Sequence, residues 1–321
     1  MDDPQPDNSL PVLKLDKPLI HRTREHRRRR LRRHGRRAYV RSVYFLPSMA
    51  TLGNAICGFA AIYVAGLDKT PVNPSPDRVT DWFTQYNFLA AAYLIFVAMI
   101  FDGLDGRLAR FTRHTTDFGG QLDSLADVIS FGAAPAFIAL ELFKFYHPTA
   151  IPALTRLIWA LGALYMSCAA MRLARFNVSN EHGEQHHFSF LGLPSPGAAG
   201  AVAALILMQQ DLADNPWHGH FDNVATTLSN ILIYLLPIVV VATGLLMVSN
   251  IRYPHLINRY MKGRKSLARV ITVVILALLL VVAHRYMLGI GCLFYALWGP
   301  ISWGWTRARR RHAATTVTTT H

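Results

Sequence analysis

Eight long apolar runs dominate this chain of 321 residues, at 43–66, 86–108, 119–143, 154–175, 193–210, 228–249, 267–284 and 286–304. Most reach the roughly 20 residues that a helix needs to cross a bilayer. Length alone would permit two soluble domains, but 52% apolar content gathered into such runs predicts a single all-α integral membrane bundle of eight spans. The run at 193–210 is shorter and opens on Pro194, Pro196 and Gly197, so its start is the least defined. Its AGAVAALILM centre still reads as a span.

A net charge of +14 raises nucleic acid as a partner, yet the basic residues gather in the two tails and one loop, which argues against it. With an even number of spans both termini share one side, and the lysines and arginines can be tested for asymmetry. The N-terminal tail, the junction holding Arg107, Arg110 and Arg113, the pair Arg172 and Arg175, the stretch from Arg252 to Arg269, and Arg307 to Arg311 all fall on that side. Only five of the 33 lysines and arginines remain for the other. Both ends are therefore expected in the cytoplasm. Four regions follow: a disordered, polybasic tail at 1–42, a transmembrane core at 43–250, a cytoplasmic loop with two additional helices at 251–305, and a disordered basic tail at 306–321. The tail HRTREHRRRRLRRHGRR either lies on an anionic leaflet or only enforces orientation. No segment near the start has the apolar core of a cleaved signal peptide.

Against this background the stretch DGLDGRLARFTRHTTDFGGQLDSLAD, residues 102–127, is anomalous. It places Asp102 and Asp105 near the end of one apolar run and Asp123 and Asp127 near the start of the next. Spacings of three and four residues put each pair on one helix face. A short turn between antiparallel helices would then bring all four carboxylates together. Left uncompensated they would repel one another, and each has a desolvation cost of several kcal/mol. Pairing with Arg107, Arg110 and Arg113 is one solution. The other is a hard divalent ion such as Mg2+ or Mn2+, singly or as a pair, since the ligand set is oxygen alone. Gly106 and Gly119 favour the second, because glycine inside a helix is costly unless a backbone or ligand must approach closely. The residues by themselves reach metal-dependent phosphoryl or phosphatidyl transfer at a membrane surface, with one carboxylate serving as general base.

Asp102-Gly-Leu-Asp105-Gly106-Arg-Leu-Ala109-Arg110, then eight residues, then Gly119-Gly-Gln-Leu-Asp123-Ser-Leu-Ala-Asp127 resembles the signature of the CDP-alcohol phosphatidyltransferases at every defining position. The resemblance implies a six-helix membrane core, here followed by two more helices, and a homodimer. By it, Asp102, Asp105, Asp123 and Asp127 surround two divalent ions, with Asp127 also the catalytic base. Gly106, Ala109, Arg110 and Gly119 receive the CDP-lipid, CDP-diacylglycerol. It further implies work among the lipids of a bacterial inner membrane, with the active site on the cytoplasmic face.

Leu122 to Ala136, Arg172-Leu-Ala-Arg-Phe-Asn177, Gly192-Leu-Pro-Ser-Pro-Gly197 and Met247-Val-Ser-Asn250 are similar to the branch of that family that uses L-serine. Arg172, Arg175 and Asn177 are therefore candidates for gripping the acceptor or a phosphate. The Gly-Leu-Pro-Ser-Pro stretch is either a strained entry lining the acceptor site or a plain helix start. Relatives often open the first span Pro-Asn, whereas this chain has Pro47-Ser48 and Thr51, so Ser48 or Asn54 must substitute. Other acceptors (glycerol 3-phosphate, inositol phosphate, choline) stay open, as does a divalent-cation transporter built on the same carboxylates. Cys57, Cys168 and Cys292 read as small buried residues, since no CxxC pair exists. His182, His186 and His187 read as a polar loop that lacks a fourth zinc ligand.

Overall fold

The computed structural model describes residues 48–67, 78–112, 117–181, 189–214, 222–254 and 283–318. The N-terminal tail, residues 267–282 of the run at 267–284 and the three histidines of the 182–187 loop lie outside them. The helices are α1 (Ser48–Ala65), α2 (Arg78–Gln85), α3 (Asn87–Thr112), α4 (Asp117–Asp127), α5 (Ala134–Tyr146), α6 (Pro152–Glu181), α7 (Ser195–Asp214), α8 (Asp222–Val248) and α9 (His284–Thr318). A π-helical turn, Val128–Ala133, joins α4 to α5.

Six of these elements are long and apolar enough to cross a membrane: α1, α3, α4 with α5, α6, α8 and α9. Eight spans were expected. Of the other two, 267–284 is outside the described residues but for its last two, and 193–210 forms α7, whose ends are too polar to meet the same standard. The reason is its position. Residues 198–207 of α7 are all buried, enclosed by α3, α8 and α9, so this helix meets protein where the others meet lipid. Its alanines, with Ala90, Ala91, Ala92 and Ala98 of α3, let the backbones approach closely, the packing mode that works where lipid offers no hydrophobic drive. Its polar C-terminal end is largely bonded within the protein, Gln210 Oε1 alone being buried without a partner among the described groups there. Gln209 donates to Ser229 at 3.1 Å, Gln210 donates to Gln209 at 2.7 Å, and Asp211 pairs with Arg285 of α9.

Large apolar side chains point outward at helical spacing, among them Ile231, Tyr234, Ile238 and Leu245 on α8 and Ile290, Phe294, Leu297 and Ile301 on α9. In water such stripes would be a liability; in a bilayer they are the solvated face. The α9 helix continues to Thr318, beyond the run at 286–304 and through most of the 306–321 segment expected to be a tail. Its arginines and alanines are good helix formers.

The described residues also hold a short antiparallel ribbon, Ser189–Leu191 (β1) against Arg252–Pro254 (β2), in a chain expected to be all helix. It ties the entry of α7 to the exit of α8. Gly192, with φ of 81°, makes the turn. Its N–H donates to the Ile251 carbonyl at 2.8 Å, and the Leu193 N–H donates to the Leu246 carbonyl at 3.0 Å. A side chain at Gly192 would collide with the Met247 carbonyl oxygen. Gly192→Ala is therefore expected to lower stability by about 1–3 kcal/mol, read as a fall in the thermal midpoint of the detergent-solubilised protein. Gly291→Ala, at a helical position with open space around it, should leave that midpoint unchanged or raise it.

Candidate active site

The helices α3 and α4 run antiparallel from their junction, and their aspartates lie at matching depths. Asp102 is ten residues from Thr112 and Asp127 is ten residues from Asp117, about 15 Å along each axis at 1.5 Å per residue. The cluster is thus inset from the junction rather than at its rim. Ligand oxygens of Asp102, Asp123 and Asp127 all lie within 4.8 Å of one another. Asp105 stands outside that triangle but within hydrogen-bonding reach of Asp123, and the Thr51 hydroxyl bonds to it as well. Asp105 and Asp127 are buried, at 5% and 7% exposure.

The π-helical turn begins directly after Asp127, and turns of this kind often mark functional positions in helices. It is held by α1 and α6. The Ser130 hydroxyl donates to the Asn54 carbonyl at 2.8 Å, and the Tyr165 hydroxyl donates to the Phe131 carbonyl at 3.0 Å. Gly58 of α1 lies so close that a Cβ there would be 2.6 Å from the Ser130 Cα. This contact brings Asn54, which is fully buried, to the cluster. Its amide donates to Asp127 Oδ1 at 2.9 Å. Of the two substitutes considered for the missing Pro-Asn, Asn54 is the one at the carboxylates. Thr51 was not read as a site residue, and Asn54 only as a substitute for the family's Asn; their three-residue spacing, two polar groups on one face of an apolar run, was the available signal.

Among the described residues no cation forms an ion pair with the four aspartates. Two full charges 4.8 Å apart repel by about 3 kcal/mol at an effective dielectric near 20. Asp105 Oδ2 and Asp123 Oδ1 are buried without a hydrogen-bond partner. Three carboxylates gathered this closely, with unpartnered carboxylate oxygens among the cluster and no nitrogen or sulfur ligand in the set, fit a hard divalent cation. Space is open beside Gly106, whereas Gly119 is half-buried on α4. Ala109 and Arg110 lie on α3, and their side chains are outside the described residues.

The three acceptor candidates on α6 separate. Arg172 faces the cluster, interacting electrostatically with Asp127 and Asp102, and donates to the buried Ser195 hydroxyl at 3.0 Å. Arg175 is exposed and donates to Asn250 at 3.1 Å. The Asn177 amide donates to Ser124 of α4 at 2.9 Å, bracing α6 against α4.

The site is thus a carboxylate cluster spanning a helical hairpin, with an arginine alongside, in a bundle of membrane-length helices. The chain belongs to the CDP-alcohol phosphatidyltransferase family, whose model matches residues 44–242. It is 32% identical over 264 residues to a CDP-diacylglycerol–serine O-phosphatidyltransferase of Helicobacter pylori, covering 82% of this chain and 93% of that one. Proteins of the same name from Methanocaldococcus jannaschii and Bacillus subtilis are 31% and 30% identical, over 70% and 66% of this chain and 94% and 90% of theirs.

Direct Mn2+ titration of the purified protein checks the cluster. Asp123→Asn should weaken binding by at least tenfold, and Asn54→Ala by about 10–100-fold as the loss of a ligand's hydrogen-bond partner. Arg175→Ala should leave it unchanged.

Proposed function

We propose that this protein transfers the phosphatidyl group of CDP-diacylglycerol to the hydroxyl of L-serine, releasing CMP and forming phosphatidylserine. The convergence of Asp102, Asp123 and Asp127 within 4.8 Å, with Arg172 beside them, carries this reading. The names of the relatives support serine as the acceptor.

In the reaction the serine oxygen bonds to the lipid-linked phosphorus, the bond from that phosphorus to CMP breaks, and the hydroxyl proton passes to a base. Asp102, Asp105, Asp123 and Asp127 are the ligands for divalent ions, Mg2+ or Mn2+, two by the family's pattern. Bound there, such ions neutralise the diphosphate and stabilise departing CMP. Asp127 takes the proton. Its Oδ1 is held by Asn54, which fixes the carboxyl plane. The open space at Gly106, with Gly119, Ala109 and Arg110, receives the nucleotide. Arg172 binds the acceptor carboxylate, while Arg175 and Asn177 hold α6 against its neighbours.

In this reading the core at 43–250 carries the chemistry, and 251–305 adds a cytoplasmic loop and two helices, which makes eight spans in all. The protein works as a homodimer in a bacterial inner membrane with both termini and the site in the cytoplasm. The asymmetry of lysines and arginines supports that orientation: Arg172, Arg175 and the basic end of α9 stand at the end of the bundle that holds the aspartates.

Purified protein given CDP-diacylglycerol and Mn2+ should release CMP only when serine is added, stop on chelation, and recover with Mg2+ or Mn2+. Asp127→Asn should cut kcat by about 10²–10⁴. Turnover of another alcohol with none of serine would sink the serine assignment, and ion flux without CMP release would sink the enzyme.

A further inference from the structure

The helix α6 meets α5, the π-helical turn and α4 in reverse order. A Cβ on Gly162 would touch Ala136 at 3.6 Å, one on Gly132 would be 3.3 Å from the Ala169 Cβ, and Asn177 donates to Ser124 at 2.9 Å. Arg172, three residues past Ala169 and five before Asn177, therefore stands at the level of Asp127. There its Nη1 donates to the Ser195 hydroxyl at 3.0 Å. Ser195 is the first residue of α7 and is fully buried.

The backbone that carries Ser195 is held firmly. Pro194 and Pro196 flank it, each with its φ set by the ring. The N–H groups of Gly192 and Leu193 are tied to the Ile251 and Leu246 carbonyls. Tyr295 of α9 presses on Gly197 in the first turn of α7, where a Cβ would be 2.9 Å from its Cε1. One helical turn past Arg172, Arg175 donates to Asn250 at 3.1 Å and ties α6 to the end of α8. The hydroxyl and the guanidinium thus both project from fixed backbone.

We infer that Ser195 is a positioning residue for the acceptor: by taking Nη1 it turns the opposite edge of the Arg172 guanidinium to the substrate beside Asp127, and so selects an alcohol that carries a carboxylate. This rests on the role given to Arg172 in the proposed function. Nη1 lies on the same side of the guanidinium as Cδ. The other edge, Nε with Nη2, presents two parallel N–H donors, the fork that takes both oxygens of a carboxylate. On that edge Nε is buried and has no hydrogen-bond partner among the described residues. A donor shielded from water and unpaired is costly, and a carboxylate on that edge removes the cost. An acidic partner in place of Ser195 would neutralise the guanidinium. A hydroxyl orients it and leaves its charge for the substrate.

The test is steady-state kinetics of the full-length protein in lipid or detergent, varying serine and CDP-diacylglycerol separately. Ser195→Ala should raise the serine KM about tenfold, the order of one hydrogen bond to a charged group, with the CDP-diacylglycerol KM unchanged and kcat within about threefold. Discrimination between serine and serinamide, which lacks the carboxylate, should fall by the same factor. In an Arg172→Lys background Ser195→Ala should lose most of its effect, because the fork being positioned is gone. Should Ser195→Ala not fold, Ser195→Cys, close in size and a weaker acceptor, carries the same expectations. An unchanged serine KM, an effect of full size in the Arg172→Lys background, or a parallel loss in both KM values and kcat as from general loosening would overturn the role of Ser195 while leaving the serine reaction intact. Wild-type preference for an acceptor without a carboxylate, such as serinamide or ethanolamine, would overturn both.

Discussion

Four carboxylates held together inside an apolar bundle are the constraint on which the rest of this structure depends. Their mutual repulsion and desolvation oppose folding, and the elements around them are arranged to contain that cost. Equal depths on α3 and α4 bring the two pairs together. The π-helical turn after Asp127 is locked by Ser130, Tyr165 and the close approach of α1 at Gly58, so the last aspartate cannot swing away from the others. Asn54 and Thr51 each take one carboxyl. What remains uncompensated are oxygens without partners, and these are the groups that a cation would take.

The bundle can hold such a site because its central helix is not a lipid-facing one. The α7 helix is enclosed on all its middle turns, and polar side chains at each end bond to neighbouring elements. Ser195 serves Arg172 near the aspartates, while Gln209, Gln210 and Asp211 pair with neighbours at the far end. The outer helices turn apolar stripes to the membrane. Stability and function thus occupy different layers: small residues pack α7 against α3 and α9, and polar side chains appear where two or more helices can share them.

Much of this was legible in the sequence. Run lengths marked the helices, and the spacing of the aspartates put each pair on one face, because helical periodicity is a local property. The eight-residue gap marked the hairpin for the same reason. Less legible was α7, where a short, proline-headed run looked like the weakest span and proved to be the centre. Local hydropathy cannot distinguish a helix surrounded by protein from one surrounded by lipid.

The sequence by itself determined the class of bundle, the hairpin and the four carboxylates, since each follows from spacing along one or two adjacent helices. Tertiary structure alone decided that Asn54 rather than Ser48 meets Asp127, that Arg172 turns to the cluster while Arg175 and Asn177 brace neighbours, and that Tyr295 reaches the first turn of α7. Those pairings join residues 73, 23 and 98 positions apart (Asn54 with Asp127, Arg172 with Ser195, Gly197 with Tyr295). Which faces of distant helices meet is set by packing of the whole bundle, and no local period records it.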